Sequence, residues 1–182
     1  MPKIKYKVRK EKRFKDYLDQ PIDRKKAGLF LHLTFLPLML VLIDQLTKWF
    51  VAHNMHKGEE IQMIPGLFNI QYVVNKGAAL GIFHNKTVFL VIISTLMIAF
   101  IYYLAIYDLK LGHPITPELF IIGGAFGNLI DRVFLAGAVR DFLEVPFFAV
   151  MNFADWFVSV GIGLLVIKYL YYFSKEDSDG IH

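Results

Sequence analysis

Four stretches of nearly unbroken apolar residues run along the chain, at about Leu29–Val51, Val88–Tyr107, Leu119–Val139 and Phe153–Phe173. Each is about 20 residues long, which an α-helix needs to cross roughly 30 Å of hydrocarbon. The pattern predicts an all-α membrane protein with four transmembrane helices. Polar residues interrupt three of the four windows: Asp44, Gln45 and Lys48 in the first, Asn128, Asp131 and Arg132 in the third, and Asp155 at the opening of the fourth. Between the first two windows, residues 52–86 form a long loop. There "FNIQYVV" partly alternates apolar and polar positions before the turn signal "NKG", so a small extracytoplasmic β element is predicted within residues 60–83. Pro114 and Pro117 break the connection at 108–118, and a second, shorter outer loop covers about 140–152. The two halves show no internal repeat.

Composition supports a membrane class. Hydrophobic residues make up 55% of the chain and aromatics 15%, too apolar for an ordinary soluble domain. With no cysteine, structural disulfides, thiolate catalysis and Cys-ligated metal centres are excluded. The net charge of +4 comes from a basic leader, residues 1–28, whose Lys and Arg beside the first window place the N-terminus on the cytoplasmic side. Four crossings return a polar tail, residues 175–182, to that side. The leader lacks a signal-peptide cleavage site; it is either a solvated tail or a segment lying on anionic lipid headgroups. Trp49 and Trp156 fall at the outer ends of helices, and Tyr107, Tyr169, Tyr171 and Tyr172 at the inner ends, the two interfaces such side chains favour. Outside the leader the basic residues are scattered and form no basic patch, so no nucleic-acid partner is expected. The domain organisation is thus a cytoplasmic leader (1–28), a membrane domain (29–174) and a cytoplasmic tail (175–182).

In this topology the costly residues converge on one membrane face. Asp44 and Lys48 lie near the outer end of the first helix, and Asn128, Asp131 and Arg132 toward that of the third. Asp141 follows in the outer loop, Asp155 opens the fourth helix, and Asn75 sits in the long loop. Ionisable groups cost roughly 2.5–3.5 kcal/mol each at a helix centre and mark function by default. Individually they have plainer readings. Asp44 and Lys48, at i and i+4, can be an intrahelical pair; Asn75 with Gly77 can be a turn. Asn128, Asp131 and Arg132 share one helical face, suited to a buried supporting network. Gly123 and Gly127 form a small-xxx-small pair for close helix packing. Asn152 and Asp155 are spaced as a capping box, which leaves Asp141 unexplained. Two carboxyls facing each other offer a chemistry: one ionised acid takes a proton from water as it attacks an amide, and the other, protonated, donates to the carbonyl oxygen. The positive end of the fourth helix favours charge on Asp155, which makes Asp155 the expected resting base and Asp141 the acid.

The blocks "DQLTK" (44–48), "NKGAALGIF" (75–83), "GGAFGNLIDR" (123–132), "VRDF" (139–142) and "NFAD" (152–155) together resemble bacterial lipoprotein signal peptidase, signal peptidase II, in the family's order over residues 29–174. The resemblance implies a four-helix aspartic endopeptidase of the bacterial inner membrane, active near its outer face. It would remove the signal peptide from diacylglyceryl-modified prolipoproteins, cutting just before the lipidated cysteine. It implies Asp141 and Asp155 as the catalytic dyad, and Asp44, Lys48, Asn75, Gly77, Asn128, Arg132 and Asn152 as positions that shape or support the site. It also implies a β-cradle in the outer loop, no metal or other cofactor, and inhibition by globomycin-type cyclic peptides. The chain departs from the family in having four residues between Arg132 and Gly137, in Arg140 beside Asp141, and in Trp156 after Asp155. Two rival readings are a small proton-coupled membrane transporter, which the one-sided clustering and missing repeat disfavour, and a non-catalytic assembly subunit, which would tolerate loss of either acid.

Overall fold

The computed structural model describes residues 24–76, 87–146 and 148–179, with side chains from Leu33 to Lys175 within those stretches. Gly77 and the first 23 residues of the leader lie outside the described residues. The chain divides after His32, and Leu33–His182 forms the second and larger unit. Helix α1 (Arg24–Asn54) begins before that division. It is followed by strands β1 (Glu60–Ile64) and β2 (Phe68–Asn75), helices α2 (Thr87–Leu111) and α3 (Thr116–Phe134), strand β3 (Val139–Glu144) and helix α4 (Phe153–Asp179). Three segments, Leu33–Asn54, Thr87–Leu111 and Phe153–Lys175, are long and apolar enough to cross a membrane. Their outer faces leave Phe35, Leu42, Ile92, Leu96, Val166 and Leu170 exposed, side chains that would be costly in water and suit lipid.

Helix α3 carries three charged residues, Glu118 in its first turn and Asp131 and Arg132 near its end, and is the most buried of the helices. It packs against α2 and α4 and, through glycines, against α1. A Cβ on Gly123 would lie 2.8 Å from Cβ of Leu40, and one on Gly127 would lie 2.5 Å from Oδ2 of Asp44. The small-xxx-small pair thus lets the α1 backbone approach. Ile101, Ala105, Ile115, Leu119, Ile121 and Ile122 fill the space between α2 and α3.

The strands form one antiparallel sheet in the order β1-β2-β3. The first two come from the loop expected to hold a β element; the third comes from the far side of α3 and was not expected. The third apolar window also ends earlier than its pattern suggests. The window runs to Val139, but α3 stops at Phe134. The chain then closes a C-terminal turn in which the Gly137 N–H donates to Arg132 O (2.8 Å), with Ala136 at φ 52° and Gly137 at φ 90°. The usual stop signal is a glycine at the left-handed position. Here that position holds Ala136, and the glycine follows it, so the apolar run conceals the break. At the inner end, α2 extends to Leu111 and α3 starts at Thr116, a connection shorter than 108–118 because Pro117 sits in the first turn of α3, where proline is tolerated.

Candidate active site

Asp141 is carried by β3. Val73 pairs with Asp141 and Asn75 with Val139, so Asn75 and Asp141 are diagonal neighbours on one sheet face. The Asn75 Nδ2 donates to Asp141 Oδ2 (3.2 Å). Beyond β3 the chain doubles back. Met151 bridges to Leu143, its N–H donating to the Leu143 carbonyl (2.9 Å), and this sets Asn152 beside Asp141. Asn152 then caps α4. Its Oδ1 accepts from the Asp155 N–H (3.0 Å), and Asp155 Oδ2 accepts from the Asn152 N–H (3.1 Å), the reciprocal capping box the spacing predicts.

Asn152 therefore holds both acids. Its Nδ2 donates to Asp141 Oδ1 (2.6 Å), while its backbone N–H holds Asp155. The other Asp155 oxygen accepts from Asn128 Nδ2 (2.8 Å). Asn152 is fully buried and Asp141 is 4% exposed. Burial, and next the charge of Asp155, push the Asp141 carboxyl up to about 7, against smaller lowering effects of the Asn75 and Asn152 hydrogen bonds and of Lys48. Desolvation plus a like charge is the combination that keeps one acid of a pair protonated near neutrality.

Around the pair lies a buried ionic network. Lys48 and Asp44 form an i, i+4 ion pair (2.8 Å) with both side chains fully buried. The same lysine donates to Asn128 Oδ1 (2.9 Å), fixing the amide whose nitrogen holds Asp155. Asp44 Oδ1 accepts from the Ala154 N–H (2.9 Å), an anion on one of the orphan donors of the α4 N-terminus. Asp131 receives Arg140 as a fork: Nη2 to Oδ1 (2.6 Å) and Nε to Oδ2 (3.1 Å). The Arg140 guanidinium thus faces away from the dyad, and its pairing with Asp131 raises its already high affinity for a proton. Lys48 and Arg140 pair with carboxyls of this cluster. Arg132 stands within electrostatic reach of Asp155, Asp141 and Asp131 without an ion pair to them among the described residues. The formal charges of these three cations and of Asp44, Asp131, Asp141 and Asp155 therefore cancel when Asp141 and Asp155 hold a single proton.

The sequence-predicted residues Asp44, Lys48, Asn75, Asn128, Asp131, Asn152, Asp141 and Asp155 are linked by these contacts. Gly77 lies outside the described residues. Arg132 lines, with Asn128 and Asp155, the end of a cavity of about 450 Å³ that continues along Ile93, Met97, Ile122 and Ile162; its buried Nε has no partner among the described residues. Two members are named in the sequence analysis but not assigned there to the site: Gln45, whose Nε2 donates to Asp44 Oδ2 (3.1 Å), Gly127 O (2.9 Å) and Asp131 Oδ1 (3.2 Å), and Arg140, the partner of Asp131. The polar run "DQLTK" marked Gln45; Arg140 was visible as a charge, but not its destination. Among the described residues no group of three or more His, Asp or Glu side chains could hold a metal ion.

Comparison with known proteins places the chain in a family. The family model described as "Signal peptidase (SPase) II" matches residues 36–171. The lipoprotein signal peptidase of Symbiobacterium thermophilum is 41% identical over 139 residues, covering 72% of this chain and 90% of the relative. That of Streptococcus thermophilus is 38% identical over 133 residues, covering 71% and 86%. Two solved structures of bacterial membrane enzymes, each 32% identical, superpose with TM-scores of 0.71 and 0.67 over 79% and 76% of this chain, and over 90% and 92% of theirs. The chain belongs to the signal peptidase II family and is a membrane-embedded peptidase.

Proposed function

We propose that the chain is an aspartic endopeptidase that removes signal peptides from diacylglyceryl-modified prolipoproteins, cutting before the lipidated cysteine, with Asp141 and Asp155 as its dyad. The observation that carries this is Asn152, which holds one acid by its side chain and the other by its backbone, in a network whose charges balance with one shared proton. In the resting state that proton resides on Asp141, and Asp155 is the base. A water between them loses a proton to Asp155 as its oxygen bonds to the scissile carbonyl carbon, and Asp141 gives its proton to the carbonyl oxygen. When the intermediate collapses, the C–N bond breaks, the leaving amine takes the proton held by Asp155, and Asp141 recovers its own. The proton belongs to the pair, so a pH–rate profile reports joint values.

The cavity beside Asp155 supports a substrate path: its apolar walls suit the signal helix, and Arg132 Nε is a donor for a substrate carbonyl near the dyad. The lipid tails supply binding energy away from the reacting bond, which can orient it. All four helices cross the inner membrane, with both termini cytoplasmic and the dyad near the outer face. A globomycin-type cyclic peptide would compete for the same cavity. The test is incubation of purified protein in detergent with a diacylglyceryl-modified prolipoprotein, reading signal-peptide loss by mass. Asp141→Asn and Asp155→Asn should each remain folded and lower the rate by at least about a thousandfold. Cleavage persisting in the double variant overturns the dyad.

A further inference from the structure

Asp141 sits on a strand and Asp155 on a helix, and something must hold strand and helix in register. We infer that Arg140 is a positioning residue for the dyad, clamping β3 to α3 and α1 so that Asp141 faces Asp155; the inference rests on the dyad proposed above. Side chains alternate along a strand, so the guanidinium lies on the face opposite Asp141. There it makes the two-pronged pair with Asp131 and donates from Nη2 to Gln45 Oε1 (3.1 Å). Its own backbone N–H also donates to Asp131 Oδ2 (2.9 Å). Asp131 lies on the same helix as Asn128, the residue that holds Asp155. On the site side, the Arg140 carbonyl accepts from Asn152 Nδ2 (3.3 Å), and the next residue is Asp141 itself. One side chain thus ties the strand bearing the first acid to the helix that positions the second. The side chain is 18% exposed and its carboxylate partner not at all, so water competes little for the pair. The fork is the reason for arginine: an ammonium can satisfy the charge but cannot meet both oxygens in one plane.

A misplacement of about 1 Å can cost about 100-fold in rate, so loosening this clamp should act on turnover more than on substrate affinity. The experiment compares the parent with Arg140→Lys, Arg140→Val and the charge-matched double variant Arg140→Val/Asp131→Asn, which keeps the comparison open if the single valine variant leaves Asp131 unpaired and fails to fold. Cleavage is read as kcat and KM separately, and hydrogen exchange of the β3 amides is read by mass spectrometry. The expected result is roughly a 10- to 100-fold fall in kcat with KM within about threefold, faster β3 exchange, and little recovery in Arg140→Lys. Full rescue by lysine would show that charge alone matters and would overturn the clamp. So would unchanged β3 exchange, or faster exchange with kcat intact in the folded double variant. If the parent itself fails to cleave while β3 exchange responds as expected, the proposed peptidase assignment fails, and the positioning role fails with it.

Discussion

At the scale of single residues, the site holds a proton at some expense to the fold. Asp141 takes up its proton with a pKa of about 7 in the folded chain, against 3.8 for an unperturbed aspartate. Between those values the folded state binds more protons than the unfolded one, so stability is greatest at low pH and falls as pH rises toward 7. The loss is on the order of 4 kcal/mol if the full shift is realised. Asp141→Asn cannot lose it. Its thermal midpoint relative to the parent should therefore rise between pH 5 and pH 8; a gap independent of pH would mean that Asp141 holds no such proton. In the proposed mechanism the same group also sets the direction for activity: the donating acid is lost as pH climbs through about 7, and turnover should fall there. Much of this was legible because carboxyls next to lipid-suited helices need a reason, and the capping-box spacing of Asn152 and Asp155 explains only one of two. The partner of Arg140 was not legible: Asp131 lies nine residues away across a turn, and only the fold directs the guanidinium to it.

Elements show where pattern reading reaches its limit. Strand β2 announces itself by partial alternation, whereas β3, "VRDFLE", buries Val139, Asp141, Phe142 and Leu143 and shows no clean alternation to read. The turn between α3 and β3 is equally quiet, because the left-handed residue is Ala136. An L-residue there costs about 1–2 kcal/mol, so Ala136→Gly should stabilise by about 1 kcal/mol in a denaturant titration. Gly137→Ala should do the reverse, since its Cβ would lie 3.0 Å from Cα of Thr87. At the other end of the helices lies a second polar cluster, which the sequence pattern does not reveal. Lys168 on α4 is buried between Asp108 (2.7 Å) and Glu118, and Tyr169 Oη donates to Asp108 Oδ2 (3.0 Å). These charges lie at or near the margins of apolar windows, where they read as the edges of spans. Lys168→Met leaves two buried carboxyls without their cation and should cost about 3–5 kcal/mol. Replacing all three groups together (Asp108→Asn, Glu118→Gln, Lys168→Met) should recover most of that loss. Because Lys168 lies 13 residues from Asp155 along α4, about 20 Å at the helical rise, the pH profile of cleavage should not move.

For the whole molecule, the sheet constrains how the chain threads a membrane. Strand β2 follows α1 and β3 follows α3, yet the two pair directly, so they occupy one side. Between them lie α2 and α3. If α2 carries the chain across, α3 must bring it back, although α3 is the one helix whose charges disqualify it on composition. Its 19 residues span about 28 Å, enough for the hydrocarbon core. Glu118, Asp131 and Arg132 fall at its two ends, leaving an apolar middle packed among the other helices. The absence of cysteine makes this testable with single reporters. Lys57, in the connection from α1 to β1, and Lys110, near the end of α2, are both exposed. In intact cells a membrane-impermeant maleimide should label Lys57→Cys fully and Lys110→Cys only after permeabilisation. Labelling of both from outside would mean that α2 and α3 form a re-entrant pair, with the Lys168 cluster on the same side as the dyad. In the proposed four-crossing topology the two buried networks lie at opposite faces of the bilayer, one around Asp141 and Asp155 and the other joining α2, α3 and α4 through Asp108, Glu118 and Lys168.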